Sequence, residues 1–199
     1  MARKASSGKA KQNNPGRDVS SRVYALEVFL TEGPAPEEFA EENPVVMRTI
    51  EIRGDQTLET LHHTIFDAFD RDDEHLYEFQ FGEGPHDPDG PRYTVQSGYL
   101  VGDAAFGDEE AGDVATTTID SLALAPDSVF GYWFDFGDDW YHQIRVHAIK
   151  SVEPGVKYPR VTVAVGASPP QYPDYDDEDE EDEDEDEDED EGEEAPPLN

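Results

Sequence analysis

A chain of 199 residues with no cysteine excludes disulfides, thiolate nucleophiles and cysteine-type zinc sites. Its 49 acidic against 14 basic side chains leave a formal net charge of −35, which repels a phosphate backbone, so direct nucleic-acid binding by the core is not expected. No apolar run approaches the ~20 residues that span a bilayer, and no apolar stretch follows the basic N-terminal residues, so the expectation is a soluble cytoplasmic protein without a membrane partner.

Charge divides the chain in three. Residues 1–22 carry six bases against Asp18, residues 174–199 carry nineteen acids and no base, and the middle carries eight bases against twenty-nine acids. The division predicts a disordered basic arm over 1–21, one domain over 22–173 and a disordered acidic tail over 174–199. The acidic excess reads either as a solubility device or as an adaptation to a salty cytoplasm, where 1 M salt screens self-repulsion over about 3 Å.

In chain order, Val23–Leu30 reads as a strand, Gly33-Pro34 opens an acidic loop, and Val45–Ile52 reads as a second strand. Leu58, Leu61, His62, Ile65, Phe66 and Phe69 then recur at helical spacing, predicting a helix over 57–69 with Thr57 as N-cap and Asp55 as its rival. His75, Tyr77, Phe79 and Phe81 alternate with Leu76, Glu78 and Gln80, which predicts a strand. Short strands are expected in 92–101, a loop over 102–115 and a brief ordered piece at 117–124. Two long strands are expected at 130–136 and 140–149, and a weaker one at 160–165. The resulting fold class is α+β: a mixed or antiparallel sheet packed with one principal helix.

Four segments carry a family resemblance. They are Leu58-x-x-Leu61-His62-x-x-Ile65, His75-Leu76-x-x-Phe79, the aromatic hairpin from Tyr132 through Asp135-Phe136-Gly137-Asp138 and Trp140 to His142, and Tyr158-Pro159 with Pro169-Pro170. Over residues 22–170 the chain resembles the plasmid pRiA4b ORF-3-like proteins. The resemblance implies a small α+β domain found in bacteria and on mobile elements, with largely unassigned biochemistry. Gln171-Tyr172 stand where that family usually has an acidic pair. Some relatives are labelled resolvase-like, but serine recombination needs a nucleophilic serine amid clustered arginines, and here the arginines are scattered among acids.

Face parity places the candidate site. An even turn between the two long strands would put Asp135 and His142 on one face with Trp133, Trp140 and Ile144. His62 on the apolar helix face and His75 among aromatics would join them. The functional reading of His62, His75, Asp135 and His142 is a divalent-metal or acid/base site, since imidazole and carboxylate are common ligands and a carboxylate orients a proton-transferring imidazole. The structural reading is a hydrogen-bonded polar cluster in which Asp135 accepts from His142. His62 and His63 point to different helix faces, and Asp138 and Asp139 read as turn chemistry. The aromatics do not read as a base-stacking platform, because Arg145 and Lys150 are the only bases in the hairpin.

The function this supports is a non-catalytic accessory or interaction protein, associated with mobile elements, whose acidic surface and tail meet basic proteins and which requires no cofactor. The alternative is a metal-dependent hydrolase or nuclease-like enzyme using the four candidates and a divalent ion.

Overall fold

A computed structural model describes residues 20–85, 87, 89–95 and 111–173, together with the backbone of 99–101 and 104–106. The expected basic arm, apart from its last two residues, and the acidic tail lie outside the described residues, as does much of 102–115.

Among the described residues ten strands form in chain order: β1 (Arg22–Glu32), β2 (Met47–Arg53), β3 (Tyr77–Gln80), β4 (Arg92–Thr94), β5 (Tyr99–Val101), β6 (Ala104–Phe106), β7 (Gly112–Asp113), β8 (Val129–Phe134), β9 (Trp140–Ser151) and β10 (Arg160–Val165). Eight of them make one sheet in the order β10-β2-β1-β9-β8-β3-β4-β7, antiparallel throughout except for the parallel β4–β7 pair. The remaining two, β5 and β6, pair with each other. This is the expected α+β class with the sheet dominant. The acidic loop after Gly33 holds a one-and-a-half-turn helix that alternation could not reveal, α1 (Glu37–Glu42).

The principal helix is α2 (Leu58–Ala68), and its start is the expected one: the Thr57 hydroxyl accepts from the Thr60 amide at 3.2 Å. The next free amides, of Leu58 and Glu59, donate to the carbonyls of Thr117 and Val114. The first turn is therefore satisfied by side chain and loop together. Leu58, Leu61, His62 and Ile65 face the sheet. Beyond Phe69, Asp70 turns the chain at φ 52°, and the Arg71 amide closes back on the Phe66 carbonyl.

Register shows which sheet face the helix covers. Tyr24, Leu26 and Val28 of β1 stand beside Ile52, Ile50 and Arg48 of β2, and Leu26 and Val28 stand beside Val146 and Ile144 of β9. Phe130, Tyr132 and Phe134 of β8 stand beside Ile144, His142 and Trp140, while Tyr77 and Phe79 stand beside Phe134 and Tyr132. All are buried, and together with α2 they are the core. Among the described residues no helix is long and apolar enough to cross a membrane.

After β10 the chain forms a strap beside the end of α2. Arg48 donates to the carbonyls of Ala68, Val165 and Gly166 and to the Ser168 hydroxyl, joining the helix end to the end of β10. Buried Gln171 accepts from the amides of Asp72 and Asp73 and donates to the Asp73 carbonyl. Arg71, beneath the strap, lies 3.6 Å above the Trp140 ring and donates to the Pro169 carbonyl. Burial lowers its pKa to about 10, which leaves it charged at neutral pH.

A histidine and carboxylate pocket beside the principal helix

The second turn of α2 aims His62 into the sheet. Its ring stacks on Tyr77 with centroids 3.5 Å apart and planes within 4°. Nδ1 lies 2.8 Å from the Tyr132 hydroxyl and Nε2 lies 3.1 Å from Glu74 Oε2. Burial pushes the imidazole pKa down to about 3, with neighbouring His63 adding to the effect. Glu74 is exposed and well hydrated, so its charge does not offset that desolvation, and His62 is neutral at physiological pH. Burial likewise raises the Tyr132 phenol well above its usual value.

His63 is 100° further round the helix and exposed, yet its Nδ1 lies 3.7 Å from Glu74 Oε1. The two imidazoles reach one carboxylate because Glu74 stands at the boundary between the buried helix face and solvent. The two rings do leave different helix faces, one buried and one exposed, as the sequence implied.

The other candidates are redistributed. The turn after β8 spans five residues, since the ladder ends at Phe134 opposite Trp140 and resumes nothing until then. An odd turn breaks the even-loop parity: Trp133 lies opposite Tyr141 on the outer face, where the two rings stack at 5.3 Å. Asp135 leaves the ladder at φ 56°, a conformation that aspartate tolerates better than most residues. Its carboxylate accepts from the Gly137 amide and approaches His75 Nε2 at 3.5 Å. The residue facing His142 across the ladder is therefore Tyr132 rather than Asp135. His142 is buried in the core, with Phe69 edge-on at 4.9 Å and Tyr132 at 5.3 Å. His75 precedes β3 instead of belonging to it, is exposed, and lies 2.8 Å from the Tyr172 hydroxyl. Asp139 is turn chemistry as expected: it adopts φ 56° and accepts from the Trp133 indole.

Three of the four candidates, His62, His75 and Asp135, meet around one cavity of about 420 Å³, and His142 is not among its lining residues. Glu59, His63 and Glu74 complete its polar wall, and Leu76, Tyr77, Val95 and Phe136 its apolar one. The ligand atoms of His62, His63 and Glu74 all lie within 4.8 Å of one another, a spacing open to a metal ion. Sequence reasoning missed Glu59, His63 and Glu74. The usable signal was the short return after α2, which carries the chain back along the helix and sets residue 74 beside residues 62 and 63.

The sequence pattern described as "Plasmid pRiA4b ORF-3-like protein" matches residues 38–191. A curated relative, "Uncharacterized protein y4hQ" of Sinorhizobium fredii (strain NBRC 101917 / NGR234), is 27% identical over 131 residues, covering 64% of this chain and 59% of that protein. The chain thus spans less than two thirds of the relative's length. A crystal structure of a protein of unknown function, MM3350 from Methanosarcina mazei Go1, is similar with a TM-score of 0.57 at 22% identity, over 76% of this chain and 74% of the other. That likeness concerns the fold alone.

Proposed function

Because this chain belongs to the plasmid pRiA4b ORF-3-like family, whose name carries no activity, we propose from the chemistry of the pocket that it is a non-catalytic interaction protein receiving cationic groups of a basic partner. The observation that carries the reading is the pocket wall: among its described residues Glu59, Glu74 and Asp135 supply carboxylates, and no lysine or arginine is present. Neutral His62 adds no opposing charge. A concave site lined by one sign of charge focuses field and concentrates counter-charged groups. Its apolar wall suits the methylene stem of a lysine or arginine whose head meets the carboxylates. The nineteen acids of 174–199 would steer the same partner at long range. An accessory role beside a mobile element belongs to this reading.

The hydrolase alternative is weaker on geometry. Its four residues do not share one site, since His142 sits in the core, and burial holds His62 far below the range useful for proton transfer at neutral pH.

A fluorescently labelled decalysine peptide tests the proposal by anisotropy. The expected result is saturable binding that weakens steeply with added salt and falls about tenfold, roughly 1.4 kcal/mol, in the Glu59→Gln/Glu74→Gln double variant. Absence of binding, or equal binding by that variant, would overturn the pocket as the receiving site.

A further inference from the structure

We propose that His62, His63 and Glu74 form a binding site for one divalent transition-metal ion of the zinc class, on the helix side of the pocket. In a tetrahedral shell with bonds of about 2.0–2.1 Å, neighbouring ligand atoms stand about 3.3 Å apart. His62 Nε2 stands 3.1 Å from Glu74 Oε2, so one edge already has that length, and His63 Nδ1 approaches the other oxygen of the same carboxylate at 3.7 Å. The other two edges, both to His63, lie within 4.8 Å and close by rotation of that exposed side chain.

The donors also select the ion. Two imidazoles and one carboxylate suit zinc, cobalt, nickel or copper, whereas calcium and magnesium take oxygen shells. A supporting shell is in place. The Tyr132 hydroxyl stands 2.8 Å from His62 Nδ1, and when Nδ1–H donates to that oxygen the lone pair of Nε2 faces the site. Tyr77 fixes the plane of the same ring by stacking. The fourth position opens on the cavity, where solvent completes the shell. Ion binding occupies Glu74 and so opposes a cationic guest in the same pocket. The site itself stands on its own donor geometry rather than on the interaction reading.

The competing account is a plain hydrogen-bond cluster in which Nε2–H donates to Glu74. Calorimetric titration of Zn²⁺ into the full chain, carrying no affinity histidines, separates the two. Excess Mg²⁺ is present throughout to fill oxygen-only sites on the acidic tail. One equivalent is expected to bind, and Co²⁺ in its place to give the visible absorption of a tetrahedral nitrogen-containing shell. His63→Ala and Glu74→Gln, both at exposed positions that leave the core intact, are expected to weaken zinc by about tenfold or more. No saturable equivalent above the Mg²⁺ background, or unchanged affinity in both variants, overturns the site. Zinc binding without decalysine binding removes the interaction reading and leaves the metal site, and the reverse outcome removes the metal site alone.

Discussion

Tyr132 joins the core to the pocket through one hydroxyl group. Its ring is enclosed by Phe79, Phe134 and His142, and its oxygen meets His62 Nδ1. Tyr132→Phe keeps the packing and leaves the buried imidazole nitrogen without that partner, so urea denaturation should show a loss of about 1–3 kcal/mol. An unchanged midpoint would mean that the bond contributes nothing net. His62 itself sets a pH dependence. Unfolded, its imidazole takes a proton near pH 6.5, whereas folded it resists protonation down to about 3, so acid favours the unfolded chain in between. Stability present above pH 6.5 is lost as pH falls through that window. From pH 7.5 to 5.5 the loss assigned to this one group is about 1.4 kcal/mol. His62→Gln should show a correspondingly shallower profile by denaturation at the two pH values, and equal slopes would contradict the neutral assignment.

At the level of elements, the strap ties down the return after α2 that carries Glu74. Gln171 bridges to the residues that follow the helix through three hydrogen bonds. Gln171→Ala should lower stability by about 1–2 kcal/mol. It should also speed hydrogen exchange at the Asp72 and Asp73 amides, and unaltered protection there would show that the strap is held by other contacts. Gly33, after β1, makes a close approach of a different kind. A Cβ built on it would lie 2.2 Å from Trp140 Cε3, and the backbone φ of 156° is one that side chains rarely adopt. Gly33→Ala must displace the ring on which Arg71 lies, with a cost of about 1–3 kcal/mol expected from overpacking. A melting curve superimposable on the parent would mean that Trp140 yields freely.

For the whole molecule, charge outweighs any single contact. A chain at −35 repels itself, and raising salt from 0.1 to 1 M shortens the screening length from about 10 Å to about 3 Å. The melting temperature should therefore climb with sodium chloride in calorimetric scans, while decalysine binding weakens over the same range. A melting temperature that falls with salt would place the dominant electrostatics in attractive pairs, such as Glu51 with Lys150 and Arg160, instead of in the net charge.

Local patterning was enough to identify α2 with its Thr57 cap, the main strands of the sheet and the family, because period and capping chemistry depend on residues within one turn or one strand of each other. It also placed His62 on the buried helix face for the same reason. It could not place Asp135, because turn length sets face parity and a five-residue turn looks like a four-residue one until the ladder is seen. Nor could it join Glu74 to His62 and His63, or separate His142 from them. Those relations depend on how the chain returns over the helix and on which cross-strand neighbour fills each space, and both are decided by packing between segments far apart in the chain.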